Sequence, residues 1–216
     1  MSLATTNFVS LQTKLYDFEQ PGVVLLREML SPTTVSGIQE ELVSNRRNHV
    51  PRPTQYGTTS QMLHSWDFER AVLKNYEHLS VLDKLYEELS RGLHSHMPKA
   101  HYYDRVDVNS SLYPKGSIGI GPHRDNSFSV NFTVIAVISG ENSFFTAQDK
   151  ERNGEVEFQT EPGDFIVLRG PRTVKENRYR PVHYVGEVKN ERFIVVFREI
   201  NTGLLQRVAA SKQYNG

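Results

Sequence analysis

"FSVNFTVIAVI", residues 128–138, decides the fold class. It is rich in Phe, Val, Ile and Thr, and it is one of a series: "RVDVNSSLY" (105–113), "NSFFTAQ" (142–148), "EVEFQT" (155–160), "DFIVLRG" (164–170), "PVHYVGEV" (181–188) and "RFIVVFREI" (192–200). Gly, Pro, Asn and Asp separate these segments. Short strands punctuated by turn residues predict an all-β sandwich or barrel from about residue 104 onward, and their number suits a jelly roll.

Upstream the pattern changes, and the first half reads as mostly helical. "PGVVLLREML" (21–30) predicts a short strand, after which Ser31 and Pro32 have the chemistry of an N-cap and a first helical position. Val35, Ile38 and Leu42 then recur at helical spacing. From 67 to 97 so do Phe68, Val72, Tyr76, Leu79, Leu82, Leu85, Tyr86, Leu89 and Leu93. Ser80 with Asp83 resembles a capping box, which predicts a break near residue 79. The fold expected is mainly β with N-terminal helices bracing one outer sheet. With no repeat, low-complexity tract or linker, the chain reads as a single domain over 1–216. Residues 1–103 give helical support and substrate specificity, 104–200 the jelly-roll core, and 201–216 a C-terminal tail.

The 216 residues suffice for one sizeable core, and formal net charge is zero. No overall field favours nucleic acid or an anionic membrane. Absence of cysteine excludes disulfides, thiolate metal sites and cysteine nucleophiles, so any transition metal must be held by His, Asp or Glu. The N-terminal twenty residues lack the basic and apolar regions of a secretory signal. "VIAVI" and "FIVVF" fall far short of a membrane span. A cytoplasmic location is the expectation.

His123 and Asp125 stand two apart, which in an extended strand puts both side chains on one face. Alone, such a pair is more often a polar turn than a metal site. A third ligand is available in His183, inside a later predicted strand. Two imidazoles and a carboxylate compose the facial triad of non-haem Fe(II) oxygenases, which leaves coordination positions open for a cosubstrate and O₂. "HRD" followed by no kinase elements, and "GSIGIG" followed by a strand instead of a helix, exclude the kinase and dinucleotide readings. Arg192 and Arg198 lie six apart on one predicted strand and so share a face. Inward-facing guanidiniums need an anion. The dicarboxylate 2-oxoglutarate meets that need; a local salt bridge is the alternative.

Taken in order, "YPKGSIGIGPHRD", "EPGDFIVLRGP" and "PVHYV…RFIVVFR" resemble the AlkB-like branch of the Fe(II)/2-oxoglutarate dioxygenases over roughly residues 105–200. The resemblance implies a double-stranded β-helix with iron on His123, Asp125 and His183. It implies Arg192 on the distal carboxylate of 2-oxoglutarate, Arg198 near the keto-acid end, and Tyr113 supporting the cosubstrate. Ser111 stands where the family often has Asn. Ser127 replaces an acidic residue of the nucleic-acid demethylases, which argues against base recognition and toward small bacterial oxygenases that tailor metabolites or natural products. Family halogenases lack the metal carboxylate, whereas Asp125 is present. The expected activity is oxidation of a small molecule, by hydroxylation, desaturation or cyclisation, with release of succinate and CO₂.

Two alternatives stand: an AlkB-type demethylase, for which Arg46, Arg47 and Arg52 in "SNRRNHVPRP" offer a basic stretch, and a non-catalytic jelly-roll binding protein. His94, His96 and His101 read as a polar helix end or a zinc cluster. His64 and Trp66 read as substrate wall or helical packing. Phe128, Asn131 and Arg169 are candidates to face the cavity.

Overall fold

The computed structural model describes residues 22–56, 59–69, 80–95, 102–125, 129–170, 180–204 and 206. The chain runs β1 (Val23–Leu26), α1 (Pro32–Ser44), β2 (Val50–Pro51), β3 (Gln55–Tyr56), β4 (Thr59–Met62), β5 (His64–Glu69), α2 (Ser80–Ser95) and β6 (Arg105–Tyr113). It continues through β7 (Gly119–His123), β8 (Ser129–Val137), β9 (Asn142–Ala147), β10 (Val156–Thr160), β11 (Phe165–Arg169), β12 (Val182–Val185) and β13 (Arg192–Ile200). These strands form two antiparallel sheets, ordered β1-β11-β8-β13-β6-β5-β2 and β10-β9-β12-β7-β4-β3. This is the expected jelly roll.

Strand periodicity explains the two cores. Val134, Ala136, Phe193, Val195 and Phe197 point to one face of the larger sheet, where they pack with Ile38, Leu42, Leu82, Leu85 and Leu89 of the helices. Ile135, Val137, Ile194 and Val196 point to the other face and pack with Phe144 and Val185 of the smaller sheet. β8 is therefore buried along its whole length, which is why its sequence is an apolar run instead of an alternation. Each fully buried Leu, Ile or Phe contributes about 1.5–3 kcal/mol relative to an exposed one. Ser31 caps α1 by accepting from the Thr34 amide at 3.2 Å, with Pro32 behind it. Before β11, the buried Asp164 accepts from Arg27 Nη1 at 2.6 Å and from the Glu161 amide at 3.0 Å. That fastens the "PGD" turn to the chain beyond β1.

The first half departs from its expected helical character. Residues 64–69, whose last three fell in the predicted helix, form β5, and β2, β3 and β4 precede it; residues 70–79 lie outside the described region. The reason is an unfilled edge. β6 pairs along its nine residues with β13 on one side, and β5 covers the other. β5 itself alternates, with Ser65 and Asp67 against the inter-sheet cavity and Trp66 against the helix-side core. Trp66 thus packs the helical layer. No helix among the described residues is long and apolar enough to cross a membrane.

Candidate active site

β7 and β12 are adjacent antiparallel strands, and His123 is the direct cross-strand partner of His183. This approach requires glycine at 119. Its φ is +75°, and a Cβ there would lie 2.1 Å from the Val185 carbonyl oxygen. The imidazole centroids stand 4.3 Å apart. Asp125, just past the end of β7, completes the set: the ligand atoms of His123, Asp125 and His183 all lie within 4.8 Å of one another.

Neighbouring groups orient each ligand. His123 Nδ1 lies 2.9 Å from the Gly121 carbonyl and His183 Nδ1 3.4 Å from that of Pro181. An Nδ1–H donated to either carbonyl leaves Nε2 as the free donor atom for a metal. Thr133 Oγ1 donates to Asp125 Oδ2 at 2.7 Å, Arg198 Nη2 stands 3.6 Å from Oδ1, and Arg180 donates to the Asp125 carbonyl. Burial would raise the Asp125 pKa, but Arg198, the two histidines and Thr133 outweigh it and hold the carboxyl below the ordinary range. Burial, then the neighbouring His123, pushes His183 down to about 3. Burial likewise lowers His123, against an opposing pull from Asp125. An ionised carboxylate beside two neutral imidazoles is the protonation state that ligates a divalent metal. The donor set fits iron(II), with no soft ligand to favour copper.

His123 and His183 border a cavity of about 430 Å³, which Tyr113, Arg192 and Arg198 also line; Asp125 stands behind it, reached through Arg198 Nη2 at 3.6 Å and His183 Nε2 at 4.0 Å. Arg192 is 1% exposed. Its Nη2 donates to Thr160 Oγ1 at 3.2 Å, while Nε and Nη1 are buried with no hydrogen-bond partner among the described residues. Burial brings its pKa down to about 10, against the opposing influence of Tyr113. Tyr113, its cross-strand partner, is raised by burial to about 12 and stays a neutral phenol. A buried cation with unmet donors and the two histidines of the metal-ligand triplet on one cavity fit a dicarboxylate cosubstrate between them.

The sequence reasoning missed Thr133, Arg180 and Thr160, which hold the site residues, and Gln61, Ser65, Asp67 and Asn109, which line the cavity. The polar side of the β5 alternation was the available signal. The proposed basic stretch is divided: Arg46 pairs with Glu191, whereas Arg52 pairs with Asp67 at the cavity. Asn131 does not face the cavity. It donates to the buried Glu199 at 2.7 Å, alongside Tyr86 and His94. Arg169 lines a small separate hollow with Asp125 and Arg180. His96, His101, Ser127 and Phe128 lie outside the described residues.

No protein-family model and no curated protein sequence matches the chain. Its fold does match solved structures. A Pseudomonas putida prolyl-4-hydroxylase aligns with a TM-score of 0.65 at 13% identity, covering 90% of this chain and 99% of that one. A Trichoplax adhaerens prolyl hydroxylase, solved with a hypoxia-inducible-factor peptide fragment, aligns at 0.60 and 11%, covering 92% and 96%. A Burkholderia pseudomallei oxidoreductase of the 2OG-Fe(II) oxygenase family aligns at 0.58 and 14%, covering 93% and 95%. At such identities the likeness is one of fold. It bears out the expected jelly roll and does not carry the AlkB-like branch expected from sequence.

Proposed function

We propose that this protein is a non-haem Fe(II)/2-oxoglutarate-dependent oxygenase that oxidises a small molecule, of the metabolite-tailoring kind within the AlkB-like branch. One observation carries the reading: a buried guanidinium with two nitrogens unpartnered among the described residues, Arg192, shares a cavity with His123 and His183, the two histidines of the His123–Asp125–His183 triplet. In this reading the triplet holds iron, Arg192 takes the distal carboxylate of 2-oxoglutarate, and Arg198 lies at the keto-acid end. Iron with 2-oxoglutarate and O₂ supplies oxidation of a substrate C–H bond coupled to release of CO₂ and succinate.

The chain's own residues set the conditions for that chemistry. Asp125 stays ionised because Arg198 and Thr133 compensate its burial. His123 and His183 stay neutral because burial disfavours their protonation. Thr160 holds Arg192 through one hydrogen bond, with Tyr113 opposite it on β6. Ile135, Phe144 and Ile194 add apolar lining to the cavity.

The test is succinate formation from 2-oxoglutarate with Fe(II) and O₂, which is expected to proceed slowly even without substrate. Asp125→Ala, with its fold checked by circular dichroism, should abolish it. An active Asp125→Ala variant overturns the ligand assignment, and an inert wild type favours a binding protein. A second reading, hydroxylation of a prolyl peptide, is favoured by the prolyl hydroxylases among the structural matches. Succinate release stimulated by a proline-rich peptide would select it. Salt-sensitive binding of methylated oligonucleotides would instead select an AlkB-type demethylase.

A further inference from the structure

The cavity is also lined by a polar plate to which the proposed function assigns no role. Four residues occupy two rows by strand register, Ser65 opposite Ser111 and Asp67 opposite Asn109. Asn109 Nδ2 donates to Ser65 Oγ and to Asp67 Oδ1, each at 3.2 Å, and Ser65 Oγ donates to Asp67 Oδ1 at 3.1 Å. Arg52 lies against this plate: its Nε donates to Ser65 Oγ at 2.9 Å, and its Nη2 pairs with Asp67 Oδ2. A positive and a negative group are thus fixed side by side at the cavity wall. Asp67 sits on β5, and Arg52, on the connection between β2 and β3, is tied to β5 through Ser65 and Asp67, which sets their geometry before any ligand arrives.

Both groups keep capacity to spare. The Arg52 bonds described occupy two of five guanidinium donors, and its side chain is 37% exposed. Asp67 accepts three described bonds out of about four lone-pair sites, and its side chain is 55% exposed. A lone anion would meet Asp67 and a lone cation would meet Arg52. A ligand end carrying both charges on adjacent groups meets a complement for each.

Size and distance narrow the occupant. At roughly 20 Å³ per close-packed heavy atom, ten-atom 2-oxoglutarate fills about 200 Å³ and leaves room for about a dozen further atoms. β6 and β5 lie one and two strand spacings, about 5 and 10 Å, from β13, whose Arg198 contacts Asp125. A small molecule can therefore span from plate to metal. Leu63, Ile120 and Val196 line the same cavity, apolar surface for an uncharged side chain.

We infer that this plate is the substrate subsite for a free α-amino acid, with Arg52 taking its carboxylate and Asp67 its ammonium group. The inference rests on the oxygenase reading for what happens at the metal, but the binding it describes is separable from turnover.

The test uses the whole protein loaded with Mn(II) and 2-oxoglutarate without O₂. The twenty common L-amino acids are titrated by calorimetry, and the best ligand is compared with its N-acetyl and carboxamide derivatives. At least one free amino acid is expected to bind, and removing either charge to weaken it about 30-fold or more. Asp67→Asn should erase the discrimination against the N-acetyl form, and Arg52→Gln that against the carboxamide. Derivatives or a prolyl tripeptide binding as tightly as the free amino acid overturn the inference. So does a variant that leaves its own discrimination intact. If Mn(II) and 2-oxoglutarate bind but no amino acid does, the plate assignment fails alone. If the metal and cosubstrate themselves fail to bind, the oxygenase reading is what fails.

Discussion

Replacing Arg192 by methionine should make the protein more stable and useless to its cosubstrate at once. The pKa of the guanidinium drops from 12.5 to about 10 through burial, and at about 1.4 kcal/mol per unit the fold spends roughly 3 kcal/mol keeping that charge inside. Methionine removes this penalty. It forfeits the single bond to Thr160, about 1 kcal/mol, and Thr160 Oγ1 still donates to the Asn142 carbonyl at 2.6 Å. The net expected gain is about 1–2 kcal/mol. For a chain of this size that raises Tm by roughly 2–8 °C. The binding side moves oppositely. Two charge-assisted hydrogen bonds to a carboxylate, at about 1.5–3 kcal/mol each, amount to at least a ~150-fold weaker Kd for 2-oxoglutarate. Scanning calorimetry with and without Mn(II) and 2-oxoglutarate reads both effects. Wild type should gain about 2.7 kcal/mol at a hundredfold excess over Kd, and the variant almost nothing. A variant that melts well below wild type without ligand would show that Arg192 is structural. A variant that still gains stability from 2-oxoglutarate would refute its assignment to the carboxylate.

Thr133→Val removes the 2.7 Å bond that orients Asp125; metal affinity, measured by Mn(II) titration, should fall about 10–100-fold with Tm little changed. Gly119→Ala places a methyl 2.1 Å from the Val185 carbonyl at a φ of +75°. A cost of about 2–3 kcal/mol should lower Tm and weaken metal binding together, because β7 is pushed off β12; an unchanged Tm would refute the close approach. Glu41→Gln tests pH dependence. Burial raises the Glu41 carboxyl from 4.5 to about 7, against a lowering bond from the Val81 amide. Its contribution to stability is therefore full below about pH 4.5 and lost as pH rises through 7. For a half-buried group the loss is about 1–2 kcal/mol after screening. The glutamine variant should thus be more stable than wild type at pH 8 and indistinguishable near pH 4 by urea denaturation.

What was legible in the sequence follows from what each residue is constrained by. β8 and β13 are buried on two faces, so both parities had to be apolar and the runs could be read directly. The candidate metal ligands were legible because a hard divalent metal accepts few residue types, and His123 and Asp125 stand only two residues apart. β2 to β5 were not legible. They are two to six residues long, and one of their faces is polar because it borders a cavity instead of core. The roles of Ser65, Asp67 and Asn109 depend on which strand lies opposite, and register is not written in any one segment. Arg52 looked like one cation of a basic loop until its partner on β5 separated it from Arg46.

Buried charge in this protein divides into two kinds, and the division separates structure from function. Glu199 is fully buried behind the larger sheet, yet Tyr86, His94 and Asn131 all bond to it. Its burial penalty is met inside the fold, so it ties α2 to β13 and β8 and calls for no ligand. Arg192 is equally buried on the opposite face of the same strand, but two of its nitrogens have no partner among the described residues. A fold under selection for stability alone would replace such a group with a hydrocarbon side chain, at little cost or with a gain. Its presence beside the metal-ligand triplet is therefore best explained by an anion that arrives from outside, which makes the unsatisfied donor count at Arg192 stronger evidence for a cosubstrate than its position in the sequence.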